Sequence, residues 1–200
     1  MRRNRNRFAA LISLAAAGSL AALLLLIACV KVQKEENGQD KHVDIRTPFG
    51  GVHVSNDADV SDIGLQVYPG ARLKEKDSSG DNKSANVNIS GFGYGIKVVA
   101  MEYQSDDAPA KVLSFYKDKL KKYGSVLECH TSGLHLDMKT DSHGSSNNSS
   151  ELTCSGEQGK DVELKVGRKE DQHIVEVEPS GNGSSFSLVY VRTHGKDAEI

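Results

Sequence analysis

Polar and apolar positions divide this chain into three regimes. Phe8 to Val30 is 23 residues without a charge, rich in Leu and Ala. As a helix that run would reach about 34 Å, enough to cross a hydrocarbon core of about 30 Å. Residues 31–41, "KVQKEENGQDK", have no apolar period and predict a polar tether. From residue 42 onward apolar positions recur every second residue. In "HVDIRTPFGGVHV", Val43 and Ile45 are followed by Val52 and Val54 around Pro48-Phe49-Gly50-Gly51, the pattern of a β-hairpin. "LQVYPGARL" stops at the turn dipeptide Pro69-Gly70. Residues 42–73 therefore predict a short hairpin and a turn segment, and the polar stretch 74–86 a flexible loop.

The pattern predicts a globular domain over 87–194, with 195–200 as a tail. "NVNIS" and "IKVVAMEYQ" flank "GFGYG", whose Gly91, Gly93 and Gly95 mark a hairpin tip. A phosphate-cradling loop would need a helix N-terminus after the glycines, and a β-branched run follows instead. Between Pro109 and Gly124 the period changes to that of a helix. Val112, Leu113, Phe115, Tyr116, Leu120 and Tyr123 form one stripe, and Lys117, Lys119, Lys121 and Lys122 lie mostly off it. Asp106 and Asp107 offer carboxylates to the helix start. Alternation then returns at Val162/Leu164/Val166, His173/Val175/Val177 and Phe186/Leu188/Tyr190, joined by turns at "GRKEDQ" and "PSGNGSS". The expected fold class is α+β: an antiparallel meander with one amphipathic helix packed on one face.

Charge and cysteines bear on where such a domain sits. Arg2, Arg3, Arg5 and Arg7 precede the apolar run, leaving 21 basic against 27 acidic residues, or −6, for the rest. That balance is unsuited to nucleic acid, which demands clustered Lys and Arg. The arginines orient residues 1–7 toward the cytoplasm and the body outside it. Two fates are open for 8–30. Its length favours an uncleaved transmembrane helix. Leu26-Ile27-Ala28-Cys29 resembles the bacterial lipobox, which implies cleavage before Cys29 and a lipid on its thiol. Either way the chain is tethered to a membrane, in the inner membrane or by a lipid. Cys129 and Cys154 are then an even pair in an oxidising compartment, 25 positions apart, and predict a structural disulfide.

"VYPGA" (Val67–Ala71), "SDDAP" and "VLSFYKDKLKKYG" (Val112–Gly124) resemble the motifs of uncharacterised bacterial envelope proteins, in which Tyr-Pro-Gly-Ala is followed by a strand and a Phe-Tyr helix. The resemblance implies a place in the bacterial cell envelope and carries no catalytic residues.

Candidate chemistry is sparse. His130, His135, Asp137, Asp141 and His143 crowd "CHTSGLHLDMKTDSH", and imidazole with carboxylate suits Zn²⁺ or another divalent ion. Against a metal role, the spacing is not that of ligands on one helix face, and ordering a loop around an ion costs entropy. The serines of "GSSNNSS" and "GNGSS" never form a nucleophile-elbow pattern. Phe92 and Tyr94, at the predicted hairpin tip, would suit a ligand or partner surface if exposed. The expectation is a non-enzymatic binding or structural domain with no cofactor. The alternative is a metal-binding protein using His130, His135, Asp137 and His143.

Overall fold

The computed structural model describes residues 31–37, 40–74, 84–137, 150–154 and 159–195, with the backbone alone given at the start, up to residue 41. The apolar run 8–30, Cys29, Asp141 and His143 lie outside the described residues. Among those described, no helix is long and apolar enough to cross a membrane.

The strands are β1 (Lys31–Asn37), β2 (Asp40–Thr47), β3 (Gly50–Ser55), β4 (Arg72–Leu73), β5 (Ser84–Gly91), β6 (Tyr94–Ser105), β7 (Leu127–Thr131), β8 (Asp161–Arg168), β9 (Asp171–Ser180) and β10 (Gly183–His194). All ten join one antiparallel sheet, in the order β1-β2-β3-β5-β6-β10-β9-β8-β7. β4 pairs with β6 where β5 leaves off. Helix α1 (Val60–Ile63) is a single turn, and α2 (Pro109–Leu120) continues into a 3₁₀ turn at Lys121–Tyr123.

This corrects the α+β expectation. The described chain is mostly β, with two short helices, and its sheet starts well before Val87. Two physical reasons account for the difference. The hairpin at 42–54 has the same two-residue period as the later strands, and it continues the sheet through β3 and β5, which pair from Gly50↔Gly91 to Ser55↔Asn86. Residues 31–37 lack an apolar face, but a strand at a sheet edge is held by its backbone. β1 pairs with β2 over seven positions, from Lys31↔Arg46 to Asn37↔Asp40, where a tether was expected.

The front of the sheet carries the main core. Val112, Tyr116 and Leu120 of α2, spaced four apart, are fully buried against Val99, Leu164, Val166, Val175, Phe186 and Leu188. The Tyr-Pro-Gly turn docks on the helix. Tyr68 donates its backbone N–H to the Tyr116 hydroxyl (3.0 Å) and its own hydroxyl to Asp107 (2.9 Å), and packs edge-on against Phe115. Thus "VYPGA", "SDDAP" and the Phe-Tyr pair touch one another. The two carboxylates serve this contact and not a helix cap: Asp106 takes both arms of Arg72, while Ala108 at the cap position makes no side-chain cap bond. On the rear, Ile174, Val189 and Val191 form a smaller buried cluster with Val98 and Ala100 packed against it.

Candidate functional site

Two places on the molecule depart from what a sheet and its core require. The first is at one end of the sheet, where two hairpin tips lie side by side. The β2–β3 tip carries Phe49, 59% exposed, and the β5–β6 tip carries Phe92, 75% exposed. Their rings stack with centroids 5.8 Å apart and planes within 7°. The Phe92 backbone N–H donates to the Phe49 carbonyl (3.1 Å), tying one tip to the other. Gly50 allows this approach, since a Cβ there would lie 2.0 Å from the Ser90 carbonyl oxygen. Tyr94, half exposed, and Ile89, 41% exposed, extend the apolar surface from the second tip.

Phe92 is held against its own backbone preference. Both central residues of its turn have positive φ, 55° at Phe92 and 85° at Gly93, the arrangement of a tight hairpin that favours Asn or Gly at the first position. Phe92 is the only described non-glycine residue with positive φ. A side chain there costs roughly 1–2 kcal/mol, and an exposed ring returns little of that to the fold.

The rear face behind these tips is apolar across strands. One cross-strand row runs Val43, Val54, Val87, Val98, Val191, and the next runs Ile45, Val52, Ile89, Ile96. Val191 is buried, whereas the β2, β3 and β5 members are half-buried or exposed. Beside the tips, residues including Ile45, Val52, Phe49, Phe92, Gly50 and Gly91 line a shallow hollow of about 190 Å³.

The second place is a charge cluster on the rear of β8 and β9. Lys165 is fully buried, with its ammonium 2.9 Å from Asp137 and 3.3 Å from Glu163. Asp137 also accepts from Thr153 (3.3 Å), and its backbone carbonyl accepts from Gln172 (2.6 Å). His135 Nδ1 lies 2.8 Å from the Thr131 hydroxyl and 3.9 Å from Glu163. Burial raises the Glu163 pKa, against the pull of Lys165. Directly opposite, Glu176 is pushed up to about 7 by burial, with further contributions from Glu163, Asp161, Glu178 and Glu102. On the front, burial lowers the pKa of His173, whose ring stacks on Tyr123 at 3.8 Å.

Of the expected metal ligands, the described ones, His130, His135 and Asp137, do not converge. His130 is exposed on β7, paired with Val162 and therefore on the front side of the sheet. His135 and Asp137 lie on the rear, over Glu163 and Lys165, and the Asp137 carboxylate is already engaged by Lys165. Among the described residues, no three His, Cys, Asp or Glu side chains are grouped to hold an ion. The disulfide between Cys129 and Cys154 is present, with Cα atoms 5.4 Å apart.

Of these sites, Phe92 and Tyr94 were legible as a possible surface, whereas the Phe49 contact and the buried Lys165 were missed. No sequence pattern marked Lys165, whose burial follows from the register and the disulfide. Cys129 pairs with Glu163 in the register, so a segment closed by this disulfide lies close to the charged positions of β8. Compared with known proteins, the chain matches no family model, no curated protein and no solved structure.

Proposed function

We propose that this chain is a membrane-tethered extracytoplasmic domain of the bacterial envelope, with a binding or structural role exercised through its aromatic hairpin end. The observation that carries this reading is Phe92, an apolar ring that is 75% exposed and sits on a backbone conformation unfavourable to it. A residue that costs the fold in both solvation and conformation points to a role outside the fold. The tether is supported by the arginines ahead of the apolar run 8–30, and the compartment by the Cys129–Cys154 disulfide. The likeness of "VYPGA" and the Phe-Tyr helix to envelope proteins points the same way. In this reading the role is non-enzymatic, and the buried Lys165 cluster holds the 131–137 segment onto the sheet through Asp137.

The test uses the full chain expressed in bacteria. Protease added to spheroplasts is expected to digest the body from outside. The extracted protein should show Cys129 and Cys154 unreactive to maleimide until reduced, and a mass that either retains Met1 or begins at a diacylated Cys29. A body protected until the membrane is lysed, with both thiols free, would overturn the reading.

A further inference from the structure

The partner of the aromatic end can be named from where the chain enters the sheet. β1 begins at Lys31, directly after the apolar run that ends at Val30, and Lys31 pairs with Arg46. Arg46 is three residues from Phe49, about 10 Å at the rise of an extended strand. The chain therefore enters the sheet at the end that carries the stacked phenylalanines. Cys29 precedes Lys31 by only two positions, so a lipid on Cys29 and an uncleaved span over 8–30 would bring a membrane to the same end.

The two ends of the sheet differ in the way this placement requires. One exposes Phe49, Phe92 and Tyr94. The other carries the β9–β10 turn, where Ser180, Gly181 and Asn182 are exposed. β10 spans most of that distance with 12 residues, about 40 Å. Aromatic rings with polar neighbours are the side chains that partition to the bilayer interface. Arg46, in the second row behind the tip, is 77% exposed and pairs with Asp44, so its guanidinium sits where lipid phosphate can compete for it.

We propose that the aromatic end is seated in the bilayer that tethers the chain, with the Phe49 and Phe92 rings inserted at the level of the headgroups and upper acyl chains. The proposal rests on the tethered reading given above. It explains why a tight turn holds Phe where Asn or Gly would suit the backbone. It also explains why two tips are drawn together at Gly50: side by side, the rings make one wedge.

The chain contains no tryptophan, which makes the test direct. The full-length variants Phe92→Trp, Phe49→Trp and Asn182→Trp each carry a single indole. Each is reconstituted into vesicles of zwitterionic and anionic phospholipid, with or without bromine on the acyl chains. Flotation reports tethering, and circular dichroism with the thiol assay reports folding. The expected result is blue-shifted emission and several-fold stronger bromolipid quenching at positions 92 and 49 than at 182. If folded protein floats with the vesicles but positions 92 and 49 are quenched no more than 182, the proposal is overturned and the tether stands; the tips then face solvent or another protein. If folded protein does not float, the tether and the proposal fall together. Two tip positions are used so that misfolding of one variant leaves the other to decide.

Discussion

Glu176 stands across the sheet from Glu163, and neither carboxylate is fully hydrated. Its pKa of about 7, against 4.5 for an ordinary glutamate, means that the folded chain keeps a proton the unfolded chain has released. Stability from this residue is therefore full below about pH 4.5 and is lost as pH rises through 7. Glu176→Gln is expected to remove that loss, with a gain of about 1–2 kcal/mol at pH 7.5 after allowance for solvent screening, and little change at pH 4.5. Urea midpoints of both proteins at the two pH values measure it. Buried His173 acts in the opposite sense, losing stability as pH falls below 6.5, so the difference between the two proteins is the quantity to read. None of this was legible in the sequence. Glu163 and Lys165 occupy the polar beat of an alternating strand and Glu176 a polar position between Val175 and Val177, and local periodicity assigns such positions to solvent. They are buried because of what lies over them, which is a tertiary fact.

At the scale of elements, the β5–β6 hairpin was legible and β1 was not. "GFGYG" followed by a β-branched run can hardly be other than a hairpin tip, and the turn falls at Phe92-Gly93. The helix was legible because its stripe is long enough to set a period, although Asp106 and Asp107 ahead of it make cross-links to Arg72 and Tyr68 and do not cap it. β1 escaped because an edge strand formed by backbone pairing leaves no mark on side-chain pattern. The hairpin yields a prediction of unusual sign. Phe92→Asn relieves the positive-φ penalty and loses one stacking contact with Phe49. It is expected to stabilise the chain by about 0.5–1 kcal/mol, seen as a rise in thermal midpoint of roughly 1–4 °C. A clear fall in midpoint would mean that the stacked pair holds the tips together and that Phe92 serves the fold.

For the whole molecule, the least legible property was the extent of the sheet. The pairing of β3 with β5 crosses α1, β4 and the stretch between them, and depends on close backbone approach at Gly50, which no local pattern announces. The disulfide was legible once Cys29 was set aside with the apolar run, leaving an even pair in an expected oxidising compartment. It closes a 25-residue loop, worth about 3–4 kcal/mol in the chain-entropy model. The Cys129→Ala, Cys154→Ala double variant should show that loss as a lower urea midpoint, with faster amide exchange over residues 131–137. Exchange unchanged in that segment would show that Lys165 and Gln172 hold the cover unaided. The register of β1 has a further, mechanical consequence. A pull on Lys31 toward the membrane, resisted at the β9–β10 end, runs along the strand axis. Its seven paired positions with β2 would then share the load in shear instead of opening one after another. Under the tether proposed above, such a strand would carry tension between the membrane and whatever lies beyond the domain.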